Sequence, residues 1–189
     1  MMKKILVCLN ILIVLLLTSC TFKSSDRGFI SSPFGKNNFK QTKIYFTKLK
    51  DSEGLLLIPV VRNIQKNDSV VDASLKELFL GPTSEEMLKG IMTEIPIGTR
   101  LIMVEEAEDE VLVDISSQFL TGGGSATMQL RYLQLYKTLR NVAPGKKIYL
   151  MVDGKNVKTI GGEGLEVNQP LSKINDYTKK YEKTDNLQP

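Results

Sequence analysis

Residues 122–159 read GGGSATMQLRYLQLYKTLRNVAPGKKIYLMVDGKNVKT, and the change of period inside this stretch decides the fold. After Ser125, the apolar residues Met128, Tyr132, Leu135, Tyr136 and Leu139 recur at the spacing of one helical face. Ser125 follows three glycines and stands where a helix cap is wanted, and the end near Arg140 and Asn141 carries the positive charge that a helix C-terminus favours. Lys147 to Val152 then reads as a strand, and Asp153-Gly154 is a hairpin turn that returns the chain through Val157-Lys158-Thr159. A one-sided helix followed by strands needs a sheet to lie on, so the stretch predicts helices layered on a sheet.

The flanking sequence extends the same pattern towards the N-terminus. Leu101 to Val104 and Val111 to Ile115 are β-like runs joined by the acidic segment Glu105-Glu106-Ala107-Glu108-Asp109-Glu110, which predicts an antiparallel hairpin behind the turn marked by Pro96 and Gly98. Before that turn, Asp68 or Ser69 can cap a helix carrying Val71, Leu75, Leu78 and Phe79, which Gly81-Pro82 stops. A short second helix is expected over Ser84 to Leu88. Earlier still, Lys43 to Thr47 and Leu55 to Val61 read as strands, and Pro59 marks the latter as an edge or a bulge. The order β-β-α-β-β-α-β-β predicts an α+β domain with helices packed on one face of one mainly antiparallel sheet.

Residues 1–20, MMKKILVCLNILIVLLLTSC, have two lysines, an apolar run from Ile5 to Leu17 and a small polar end, the order of a signal peptide. As a helix the run spans about 20 Å, short of the roughly 30 Å hydrocarbon core of a bilayer. Leu17-Thr18-Ser19-Cys20 resembles the lipobox of bacterial lipoproteins. The resemblance implies cleavage between Ser19 and Cys20 and acylation, palmitate included, at Cys20. Cys8 would leave with the leader, so the mature domain would hold no disulfide and would rest on its own core. The expected organisation is a signal peptide at 1–19, a lipidated N-terminus and flexible tether at 20–41, a folded domain at 42–167 and a polar, frayed tail at 168–189. A tether of this length has a root-mean-square span of about 25 Å, which keeps the domain near an extracytoplasmic membrane surface.

The composition excludes several chemistries. The chain of 189 residues contains no His, so imidazole catalysis and His-ligated zinc are ruled out. The net charge of +4 falls to +2 without Lys3 and Lys4, too little for a nucleic-acid-binding domain. Gly122-Gly123-Gly124-Ser125 lacks the lysine of a P-loop, Thr127 stands where a nucleophile elbow needs Gly, and no S-x-x-K occurs. The acidic run 105–110 has no calcium-loop arrangement and reads as a solvated hairpin tip. Asp114, Asp153 and Glu163 could supply a glycosidase pair, although Asp114 and Asp153 sit where turns ordinarily use Asp. Arg131, Lys137, Arg140, Lys146 and Lys147 could form a basic face, and Tyr132 and Tyr136 read as core or rim rather than a sugar platform. No catalytic residue, metal site or cofactor is expected.

Three segments carry a family resemblance. They are Leu75 to Pro82, a helix ending in Leu-x-x-Gly-Pro; Ile95-Pro96-Ile97-Gly98-Thr99 followed by Val113-Asp114-Ile115-Ser116 and Phe119; and Gly124-Ser125 through Leu139 with Val152-Asp153-Gly154-Lys155 behind it. Together, over about 70–160, they resemble the GerMN domain, named from a spore-germination and sporulation lipoprotein and also found in lipoproteins of bacteria that form no spores. One departure is Met128, where family members often carry an acidic residue. The resemblance implies a fold like the ring-building modules of secretion and sporulation machines, and a non-enzymatic role in envelope assembly through a protein partner or self-association. The alternative is a module that binds cell-wall glycan or hydrolyses peptidoglycan.

Overall fold

The computed structural model describes residues 38–50, 54–161, 164–173 and 181, all within the unit 36–189. The signal peptide, Ser19, Cys20, nearly all of the tether, Glu163 and most of the tail lie outside the described residues.

In chain order the elements are β1 (Phe39–Lys50), β2 (Gly54–Gln65), α1 (Val70–Leu80), α2 (Ser84–Leu88), β3 (Ile91–Met92), β4 (Leu101–Glu106), β5 (Glu110–Ile115), a 3-10 turn (Ser117–Leu120), α3 (Ser125–Val142), β6 (Lys147–Val152), β7 (Lys155–Asn156), β8 (Thr159–Ile160) and β9 (Leu165–Glu166). The class is α+β, as the residue pattern predicts, but the single expected sheet is divided. β2-β1-β3 form one sheet, β4-β5-β6-β7 a second, and β8-β9 a small third. Every described ladder is antiparallel except β5 with β6, where Glu110 to Ile115 run parallel to Lys147 to Val152. Parallel neighbours need a long crossover, and α3 supplies it.

Local chemistry sets the ends of the elements. The Ser69 hydroxyl accepts the Asp72 N–H at 3.2 Å to open α1, and Gly81, at φ +82°, closes it. Thr83 and Glu86 form a reciprocal capping box on α2, with Glu86 N–H to Thr83 Oγ1 at 3.3 Å and Thr83 N–H to Glu86 Oε2 at 2.8 Å. Asp153 and Gly154, at φ +46° and +72°, make the tight turn between β6 and β7. β1 and β2 are longer than the sequence suggests. Phe39 faces Gln65 and Lys50 faces Gly54 in an unbroken register, so β1 begins three residues before the expected domain start at 42.

The core joins both large sheets through the helices. Val71, Leu75 and Leu78 of α1, Val111, Val113 and Ile115 of β5, and Ile148 and Leu150 of β6 meet Leu133, Leu135 and Leu139 of α3 and Ile44 of β1. A fully buried Leu, Ile or Val contributes about 1.5–3 kcal/mol by leaving water. α3 is not the one-sided helix predicted, because Met128 to Tyr136 are all buried. One side of it meets the apolar core, and the other runs along β1. The tail also differs from expectation near its start: Leu171 is buried, and its N–H donates to the Ile148 carbonyl at 2.7 Å. No helix among the described residues is long and apolar enough to cross a membrane.

Candidate functional site

The carboxylates that could have formed a catalytic pair hold turns instead. Asp114 is buried at the end of β5 and accepts the Gly154 N–H on both oxygens, at 3.0 and 3.2 Å. Asp153 accepts the Ser117 N–H at 3.3 Å. The two strand ends thus exchange side-chain-to-backbone bonds that fix the β6–β7 turn against the 3-10 turn. Glu163 lies outside the described residues.

The glycine loop before α3 is exposed, with carbonyls turned towards Arg131. Gly124, not Ser125, occupies the cap position, and no side chain caps the helix. The loop carbonyls of Thr121 and Gly122 accept from Arg131, at 3.0 and 3.2 Å, as do the carbonyls of Phe119 at 2.7 Å and Glu94 at 2.8 Å. Arg131 is 3% exposed, and its guanidinium also lies 5.9 Å from the centre of the Phe119 ring. Burial pushes its pKa down, with the Glu94 charge opposing, yet an arginine starts so high that it stays cationic. This side chain ties the turn after β3, the 3-10 turn and the glycine loop to α3.

Burial of Arg131 takes one member from the expected basic face, while Lys147 is exposed and Lys137, Arg140 and Lys146 are half-buried. Arg140 donates to the Lys146 carbonyl at 2.8 Å, Lys146 reaches the Ala107 carbonyl at 2.7 Å, and the Lys137 ammonium lies 6.0 Å from the centre of the Tyr45 ring. Tyr132 and Tyr136 are buried and stacked, 5.8 Å apart at 7°, and the Tyr132 hydroxyl donates to the Ser172 carbonyl at 2.7 Å. Burial raises the Tyr132 pKa, so the phenol stays protonated. The pair is core, as its spacing implies. Among the described residues no three Asp, Glu, Cys or His side chains gather as a metal site.

Strand edges are one surface the fold leaves for recognition. The inner edge of β1 is sealed by side chains of α3. Thr138 Oγ1 accepts the Tyr45 N–H at 3.0 Å, Gln134 Nε2 donates to the Tyr45 carbonyl at 3.2 Å, and Asn141 Nδ2 donates to the Lys43 carbonyl at 3.1 Å. The outer edge of β6 is sealed by β7, by Leu171 and by Gln169, whose carboxamide bonds Leu150 in both directions. Among the described residues the end strands of the two large sheets are β2, β3, β4 and β7, and of these β2, paired only with β1, and β4, paired only with β5, are longer than two residues. Pro59 interrupts the donors of β2, in keeping with the edge reading of that proline. Ile102, in a bulge of β4, is 51% exposed.

Several residues that shape this surface escape a linear reading. Gln134, Thr138 and Asn141 lie at i, i+4 and i+7 and carry no charge, a stripe that could have been read as a polar seam on a buried side. Gln169 offers no local signal, because its partner is 19 residues away in sequence. Arg62 pairs with Glu86 and, at 3.3 Å, with Glu77, clamping β2 to both α1 and α2.

Comparison with known proteins gives a consistent result. The family model described as Germane, sporulation and spore germination, matches residues 43–158. No functionally curated protein matches by sequence. The chain is similar in structure to the first GerMN domain of the sporulation protein GerM from Bacillus subtilis, with a TM-score of 0.58 and 19% identity, covering 71% of this chain and 98% of that one. It is also similar to the tandem GerMN domains of the same protein, with a TM-score of 0.52 and 18% identity over 70% of this chain, and it spans 45% of that longer structure.

Proposed function

The chain belongs to the Germane family of sporulation and spore germination, and from that premise we propose that it is a non-catalytic, lipid-anchored protein of the cell envelope whose domain assembles an extracytoplasmic complex through protein–protein contacts. The observation that carries this reading is the distribution of strand edges. Asp114, Arg131 and the stacked tyrosines are spent inside the fold, Asp153 and the Gly122 carbonyl serve local hydrogen bonds, and β2 and β4 keep outer edges with no partner strand among the described residues. An exposed edge offers backbone donors and acceptors to another chain, the physical basis of strand addition. Cys20 supplies the anchor in this reading, and acyl chains contribute about 0.8 kcal/mol for each buried CH₂.

The test is photocrosslinking in cells from Val61 on β2 and Ile102 on β4 of the full-length chain. Discrete protein adducts are expected, together with labelled palmitate incorporated in the native chain and absent from Cys20→Ser. Retention on purified peptidoglycan, or release of soluble glycan from it, without any protein adduct would replace this reading with the wall-active one.

A further inference from the structure

We propose that the cavity between the N-terminal turn of α3 and the third sheet binds a small zwitterion, an α-amino acid with an aliphatic side chain. The proposal goes beyond the assembly reading and does not depend on it, because the edges that carry that reading lie on β2 and β4. It starts from Gln129. Every other buried polar residue among the described ones has a hydrogen bond from its side chain, as Thr42 has with Ser74, Gln134 with the Tyr45 carbonyl and Thr138 with the Tyr45 N–H. Gln129 is 8% exposed, and its carboxamide has no hydrogen-bond partner among the described residues. A carboxamide offers two donors and an acceptor, and burying it with none of them paired is unfavourable, so its presence calls for a partner from outside the chain.

Gln129 lines a cavity of about 230 Å³ together with Ser125, Met128, Ile160, Leu165 and Glu166. That volume is the share of roughly eight water molecules, the scale of a single amino acid. Ser125 stands one turn before Gln129 on the same side of α3. The first rung of this helix is the Met128 N–H to the Gly124 carbonyl at 3.0 Å, so the N–H groups of Ser125, Ala126 and Thr127 precede the ladder, and no side chain caps them. This end is the positive pole of the helix and suits a carboxylate. Glu166, on β9, is exposed, has no ion pair among the described residues and suits an ammonium group. Met128, Ile160 and Leu165 supply an apolar wall. A simple anion would be opposed by Glu166 and a simple cation by the helix pole, and no aromatic ring lines the cavity to stack on a sugar. A zwitterion with an aliphatic side chain satisfies both poles and the wall, and the Gln129 carboxamide can donate to its carboxylate or accept from its ammonium.

The experiment is calorimetric titration of the purified full-length chain in detergent with leucine, supplied as the racemate, alongside melting curves without ligand. Saturable binding of leucine is expected. Isocaproate, which lacks the ammonium, and isoamylamine, which lacks the carboxylate, should each bind at least about tenfold more weakly, the scale of one hydrogen bond to a charged group. Gln129→Met keeps the length of the side chain without its carboxamide, so it should weaken leucine about tenfold while the ligand-free chain melts at the same temperature or higher. Glu166→Gln, at an exposed position, should weaken leucine about tenfold and leave isocaproate no weaker. Absence of saturable leucine binding overturns the proposal, as does equal binding of leucine and either analogue, or binding that neither substitution alters. A Gln129→Met chain that melts lower or fails to fold assigns the carboxamide to the fold and overturns it as well. Crosslinking from Val61 and Ile102 is read separately, so the assembly reading stands or falls on its own result.

Discussion

The Gln169 carboxamide pairs with Leu150 as a neighbouring strand would: Leu150 N–H donates to Oε1 at 3.1 Å, and Nε2 donates to the Leu150 carbonyl at 2.9 Å and to the Val157 carbonyl at 3.2 Å. One side chain therefore closes a sheet edge that backbone leaves open. Gln169→Ala removes the acceptor of the Leu150 N–H and a donor from the Leu150 and Val157 carbonyls, the former keeping the Val157 N–H at 3.4 Å, and an unsatisfied buried group costs about 1–3 kcal/mol. Chemical denaturation should show a loss of about 2 kcal/mol, with faster amide exchange at Leu150 than at Val113. Unchanged exchange at Leu150 would mean that the edge is covered by something else.

The seam between α3 and β1 makes a second prediction. Thr138 is wholly buried, and its hydroxyl is the acceptor for the Tyr45 N–H. Thr138→Val keeps the shape and removes the acceptor, so it should destabilise the fold by about 1–3 kcal/mol despite adding apolar surface. Thr138→Ser keeps the hydroxyl and should cost less. If valine proved the milder change, the hydrogen bond would not be what holds helix to strand.

These two seams also mark where sequence reasoning succeeds and where it stops. α1, α3 and the β4–β5 hairpin are legible because their apolar residues repeat with the period of the element, and Asp153-Gly154 announces its own turn. Arg131 is misread because a charge on a helix is expected to face water, whereas four backbone carbonyls replace water here. β1 is underestimated because its first residues, Phe39 to Thr42, are mostly polar, and their strand state comes from pairing with Arg62 to Gln65 of β2. Docking of the tail through Gln169 is non-local. The open edges, which carry the proposed function, are a property of strand order that no single segment encodes.

Acid should loosen the clamp on β2. Hydrogen bonding from the Arg62 guanidinium holds the Glu86 pKa below the usual carboxylate range, helped by the Thr83 N–H and opposed by desolvation. Because the folded value is depressed, the stabilisation is complete above the unfolded glutamate pKa of about 4.3 and is lost as pH falls through the folded value. Glu86→Gln should cost about 2 kcal/mol at pH 7, the scale of a hydrogen bond to a charged group. Its deficit against the native chain should shrink on acidification. A deficit independent of pH between 7 and 3 would show that ionisation of Glu86 does not matter.

Asp114 separates the structural from the catalytic reading. Asp114→Asn can still accept the Gly154 N–H through its carboxamide oxygen, so a loss near 1 kcal/mol is expected, and Asp114→Ala, which leaves that N–H without an acceptor, should lose about 1–3 kcal/mol. Neither change should affect peptidoglycan turnover, because none is expected of the native chain. Measurable lysis by the native chain that vanishes in a folded Asp114→Asn variant would reverse the assignment.

The contact between Gly161 and Met128 gives the most specific test of how α3 meets the third sheet. Gly161 sits at φ +78°, and a Cβ there would lie 2.7 Å from Met128 Cγ and 3.1 Å from its Sδ. Gly161→Ala thus combines left-handed backbone strain of about 1–2 kcal/mol with overpacking of about 1–3 kcal/mol. The Cγ atom is close to the helix backbone and cannot swing aside as a terminal methyl can. In a Met128→Ala background the overpacking disappears and the strain remains, although Met128→Ala alone costs about 2–5 kcal/mol for the cavity it leaves. A double-mutant cycle by thermal or chemical denaturation should therefore give a favourable coupling of at least 1 kcal/mol between the two substitutions. Additivity within about 0.5 kcal/mol would place the cost of Gly161→Ala in the backbone alone and remove Met128 as the reason glycine stands there.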